Sequence, residues 1–148
     1  LPADHLTLEG RTIEIQGLNG PNPARTYLWI PSIKTVAGGV VVNSGDHVWV
    51  ADTQTRESRL GWLQTLDNIA ALKPTTVVPG HFTGPMPKGL EAVRFTADYL
   101  KTFELAAAKS NHAAELVYAM KTAYPTLAGA SSLELSAKVI KGEMKWPQ

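Results

Sequence analysis

Apolar and polar residues alternate through the first part of the chain. Residues 6–10 (LTLEG) and 12–18 (TIEIQGL) do so on either side of Gly10. This period of two predicts half-buried antiparallel strands joined by a short turn. Residues 19–25 (NGPNPAR) hold one Gly and two Pro and read as a loop. A third strand is expected over 26–32 (TYLWIPS), limited by Pro31, and a fourth over 35–42 (TVAGGVVV). Residues 43–46 (NSGD) are turn chemistry. The next six, HVWVAD, read as extended again or as a loop running over the sheet.

The period then lengthens. Leu60, Leu63, Leu66 and Ile69 or Ala70 recur every three or four residues, the spacing of one helix face. Thr53 or Thr55 caps that helix and Lys73-Pro74 ends it. Residues 75–81 (TTVVPGH) form a short buried strand feeding a turn. After Pro87, a second helix is marked by Leu90, Val93, Ala97, Leu100 and Phe103. Ser110 or Asn111 caps a third, which contains Leu116 and Met120 and stops at Tyr124-Pro125. Ser131 to Glu134 reads as the capping box of a fourth, closed by Gly142. The order of strands, helix, strand, helices predicts one domain over residues 1–148. Its class is α/β (α+β), a mostly antiparallel sheet with helices packed on one face. Three helices in a row after the last strand make a lopsided layer, as if half of a two-sheet sandwich.

Composition narrows the function classes. A chain of 148 residues can bury a real core. The formal charge of +1, with basic residues scattered, creates no field favouring nucleic acid or an anionic membrane. No apolar run reaches the roughly 18 residues of a membrane helix. The absence of cysteine excludes disulfides and thiolate metal sites, and leaves histidine and carboxylate as metal ligands. It fits periplasm and cytoplasm equally. A start at Leu1-Pro2 without methionine is expected of a processed chain or a piece of a longer one.

Four histidines are candidates for chemistry: His5, His47, His81 and His112. His5 lies near the terminus and His112 opens an amphipathic helix, where solvation is expected. His81 follows a strand that stops abruptly at Pro79-Gly80. A side chain there projects from the end of the sheet, where open sheets place their sites. Its bland alternative is a hydrogen-bonded loop histidine. Asp46-His47 and Asp52 form a second cluster. On a strand, His47 and Asp52 would fall on opposite faces; on a loop, both can approach His81. Their plainer roles are a turn aspartate for Asp46 and a helix-start aspartate for Asp52. Trp49, beside His47, is a candidate pocket wall, whereas Trp29 and Trp62 are expected in the core. There is no G-x-S-x-G nucleophile elbow and no P-loop. The Gly38-Gly39 pair suggests close packing rather than phosphate binding.

The stretch TVVPGH, after a helix ended by Lys-Pro, resembles the last metal-binding turn of the metallo-β-lactamase superfamily of hydrolases. TYLWIPS, then IKTVAGG, then HVWVADT and the helix look like the second half of that fold, and LELSAKVIKGEMKW looks like the end of bacterial members. The resemblance covers nearly the whole chain but only the family's C-terminal half. It implies half of an αββα sandwich, completed by a missing N-terminal half or a second copy of the chain. It implies zinc in the intact protein, with His81 as a ligand and Asp52 or His47 as substitutes for lost ones. His47 and Trp49 would then line a pocket for a small-molecule substrate. Two ligand positions of the family depart here: Pro21 falls near an expected histidine, and Gly39 stands where a bridging aspartate is usual. The family's upstream H-x-H-x-D-H motif is not in this chain.

Overall fold

The computed structural model describes residues 4–147. Its centre is a five-stranded sheet in the order β1-β2-β3-β4-β6. The strands are β1 (His5–Leu8), β2 (Arg11–Gln16), β3 (Tyr27–Ile30), β4 (Thr35–Ala37) and β6 (Thr76–Val78). The first three pairings are antiparallel, and β4 runs parallel to β6. A short parallel pair, β5 (Asn43–Ser44) and β7 (His81–Phe82), continues beyond the ends of β4 and β6. Four helices follow the predicted order: α1 (Arg56–Ala71), α2 (Glu91–Lys109), α3 (Ala113–Ala123) and α4 (Ala130–Ile140). No helix among the described residues is long and apolar enough to cross a membrane.

The register explains the layering. Glu14, Trp29, Val36 and Val77 face one side, because each pairs directly with the next across the sheet. Tyr27, Trp29, Val36 and Val77 on that side join one core with Trp62, Leu66 and Ile69 of α1. Alternate residues face the other way: Leu6, Ile13, Ile15, Leu28, Ile30, Ala37 and Val78. None of these seven belongs to the core cluster or packs against it. The hairpin β1–β2 is therefore inverted for a sheet with helices on one side. It turns Thr7, Thr12 and Glu14 toward the helix side and its leucines and isoleucines away from it.

Several sequence expectations are corrected in detail. The strand expected over 35–42 ends at Ala37, because Gly38 and Gly39 both take positive φ. The chain then crosses to the short β5. The segment 47–52 is a loop, and it is held by the His47 N–H donating to Ala128 O at 2.8 Å. Thr55 is the cap of α1, its hydroxyl accepting from Ser58 N at 3.1 Å. The cap of α3 is His112 rather than Ser110 or Asn111, while Glu115 accepts from Asn111 N at 2.7 Å. The capping box at Ser131 is not formed. Helix α4 starts at Ala130 from Gly129, whose φ of +74° sets the entry angle, so Ser131 already lies inside the helix. Gly142 does follow the end of α4, at φ +73°.

Candidate functional site

The carboxyl ends of β4 and β6 stop side by side, since Ala37 pairs with Val78. The chain leaves both at glycines, Gly38-Gly39 and Gly80. At Gly80 there is no room for a side chain: a Cβ would fall inside the van der Waals radius of Gly39 O. The Gly80 N–H donates to Val42 O at 3.0 Å, and this bond continues the two crossings into β5 and β7. His81 thereby emerges at the sheet end opposite Asn43, with its side chain exposed. The start of β3 lies at this same end, because it runs antiparallel to β4. Arg25, two residues before β3, is thus delivered to the same place.

A cavity of about 460 Å³ opens there. Its lining includes Asp46, His47, Trp49, Asp52 and His81, five of the residues singled out in the sequence, and also Arg25. The loop form of 47–52 makes this possible: as a strand it would have divided His47 from Asp52.

Arg25 is only 2% exposed and was not anticipated. Its Nη2 donates to Asp52 Oδ1 at 2.7 Å and its Nη1 to Oδ2 at 3.2 Å, a two-pronged pair. Nη2 also donates to Thr53 Oγ1 at 2.7 Å, and the guanidinium lies 4.0 Å from the centre of the Trp62 ring. Trp62 is fixed in turn by its indole N–H donating to Val41 O at 2.8 Å. The sequence signal was slight: a lone arginine closing a Pro-rich loop just before an apolar strand.

His47 sits deeper. Its Nδ1 lies 3.0 Å from the Tyr99 hydroxyl on α2. Burial holds its pKa below the ordinary histidine range; the charge of Lys121 adds to this and Asp46 opposes it. Burial pushes the Tyr99 hydroxyl far up, so it remains protonated. Asp46 accepts from the Thr83 hydroxyl at 2.7 and 2.8 Å. Trp49 stands edge-on to Trp146, ring centres 4.9 Å apart, and forms an aromatic wall. His5 and His112 lie outside this cavity. Pro21 does too, and its carbonyl packs against Gly61 of α1.

The residues that gather here do not make a self-contained metal centre. No group of three or more His, Asp or Glu side chains among the described residues could hold a metal ion. Asp52 is engaged by Arg25 and His47 by Tyr99, which leaves His81 as the exposed donor. Gly39, where the resembled family carries an aspartate, has φ +67° and a Cβ there would run into Thr26 O. The chain matches no protein-family profile and no curated protein sequence.

Proposed function

We propose that this chain is the C-terminal half of a metallo-β-lactamase-type αββα sandwich, and that its cavity is the substrate side of a zinc hydrolase centre. The observation that carries this reading is the meeting of His81, His47, Trp49 and the Arg25–Asp52 pair at one sheet end. His81 is the donor this half contributes, and the remaining ligands belong to the other half. Bound zinc would lower the pKa of a water and polarise an ester, lactam or similar bond. The residues of this chain do the rest: Trp49 and Val40 form apolar walls, Asp52 is held rigid by Arg25, and His47 stays neutral.

The outward row of Leu6, Ile13, Ile15, Leu28, Ile30, Ala37 and Val78 supports the missing layer. An apolar sheet face this continuous needs cover, and a second sheet packed face to face provides it. The cover is an N-terminal half or, in its absence, a second copy of the chain. On its own at micromolar concentration the chain should therefore sediment above its 16.0 kDa monomer mass. Ile13→Glu and Leu28→Glu should each return it to monomer. A monodisperse monomer of the unaltered chain would count against the sandwich.

The zinc reading is tested by calorimetry on the product of the complete reading frame that encodes this segment, beside His81→Ala. The expected result is stoichiometric zinc that the variant loses, together with an H-x-H-x-D-H motif upstream of Leu1. Zinc binding indifferent to His81 would overturn it. The second reading is a binding module of the same fold that has lost its metal. Gly39 favours it, since that position cannot take an aspartate without moving the Thr26 carbonyl just before β3. In that case no zinc binds, while a small ligand still quenches Trp49.

A further inference from the structure

The hydrogen bonding around His47 fixes which of its ring nitrogens carries the proton. Tyr99 is fully buried and its hydroxyl remains protonated, so its O–H must find an acceptor. The neighbour able to accept is His47 Nδ1, at 3.0 Å. A hydrogen on Nδ1 would leave the Tyr99 proton with nowhere to go. The other nitrogen, Nε2, then bears the hydrogen of the neutral ring. It has no protein partner, yet it is not an enclosed orphan. Among the described residues, Arg25 Nε is the one side-chain nitrogen or oxygen both enclosed and unpartnered. Nε2 therefore keeps some open surface, and the open space that His47 lines is this cavity.

We propose that His47 is a specificity-determining donor: Tyr99 locks it as the Nε2–H tautomer, and that N–H recognises an acceptor oxygen of the ligand. The ligand class is a small molecule presenting a carbonyl or similar oxygen next to an apolar part that rests on Trp49. The same lock takes His47 out of the metal-ligand set. Coordination through Nε2 would need the hydrogen on Nδ1 and would strand the Tyr99 hydroxyl. The recognition role rests on the reading of this cavity as a ligand site; the tautomer does not.

The test is long-range ¹H–¹⁵N NMR of the full chain at neutral pH, alone and with N,N-dimethylacetamide, a probe that only accepts hydrogen bonds. Trimethylammonium, of similar size but able only to donate, is the control. The expected spectrum has an unprotonated Nδ1 and a protonated Nε2. The amide probe should shift His47 Nε2–H and the Trp49 indole, and the ammonium should leave Nε2–H in place. In Tyr99→Phe, with the fold checked by its amide spectrum, the single tautomer should give way to a mixture. A hydrogen on Nδ1, or a Tyr99→Phe spectrum unchanged at His47, overturns the lock. The expected tautomer with no response to either probe overturns the recognition role and, separately, the cavity as a ligand site.

Discussion

Asp52→Ala is expected to destabilise the fold by about 3 kcal/mol, more than removal of its partner would. The two ends of the pair differ in exposure. The Arg25 side chain is 2% exposed, while that of Asp52 keeps 37% of its surface. Without Asp52, a buried guanidinium loses its counter-charge, and one-sided removal of a buried partner costs about 3–5 kcal/mol. The lower end applies because the cavity lets water approach. In Arg25→Met, Asp52 turns to that water, and methionine still covers the face of Trp62. The cost should fall to about 1–2 kcal/mol, mostly lost hydrogen bonds. Urea unfolding of the two single variants and the double variant reads this directly. The double variant should cost clearly less than the sum, because the stranded charge disappears with Arg25. A smaller loss for Asp52→Ala than for Arg25→Met would refute the asymmetry.

That pair also marks the boundary of what the sequence could say. The strands and helices were legible because their periods are local. Alternation over 12–18 and the recurrence of Leu63, Leu66 and Ile69 each report one face of one element, while Leu60, read on the same stripe, turns out exposed beside the buried Arg59 and Trp62. The arginine was not legible, because its role depends on β3 starting at the sheet end where β4 and β6 stop, a fact of topology rather than of spacing. The convergence of His47, Asp52 and His81 hung on one ambiguity, strand or loop over 47–52. That was decided by the bond from His47 N to Ala128 O, far along the chain. The cap of α4 was misread for a similar reason. Ser131 and Glu134 fit a local rule, but Gly129 against the Asp46–His47 turn sets where the helix begins. The outward apolar row was visible as alternation, though not which side of the sheet it would occupy. That side was set by α1 packing on Trp29, Val36 and Val77.

Gly80→Ala is the other substitution with a large expected effect, and it joins fold to site. The added methyl would fall on Gly39 O and also meet the Cα of Val40 at 3.4 Å. Backbone on both sides cannot give as a flexible side chain would, so the two crossings beyond β4 and β6 must separate. Overpacking of this kind costs about 3 kcal/mol. For a chain of this size that is a fall in Tm of about 6–12 °C. The first bond to go should be Gly80 N to Val42 O, and with it the β5–β7 pairing that aligns His81 with Asn43. Hydrogen exchange should show this as lost protection at residues 80–83, while α1 and α2 keep theirs. His81→Ala supplies the contrast: its side chain is exposed, so Tm should move little even though the proposed metal donor is gone. A Gly80→Ala chain with unchanged Tm and protection would mean that the two crossings tolerate separation. The position of His81 would then not depend on the glycine that precedes it.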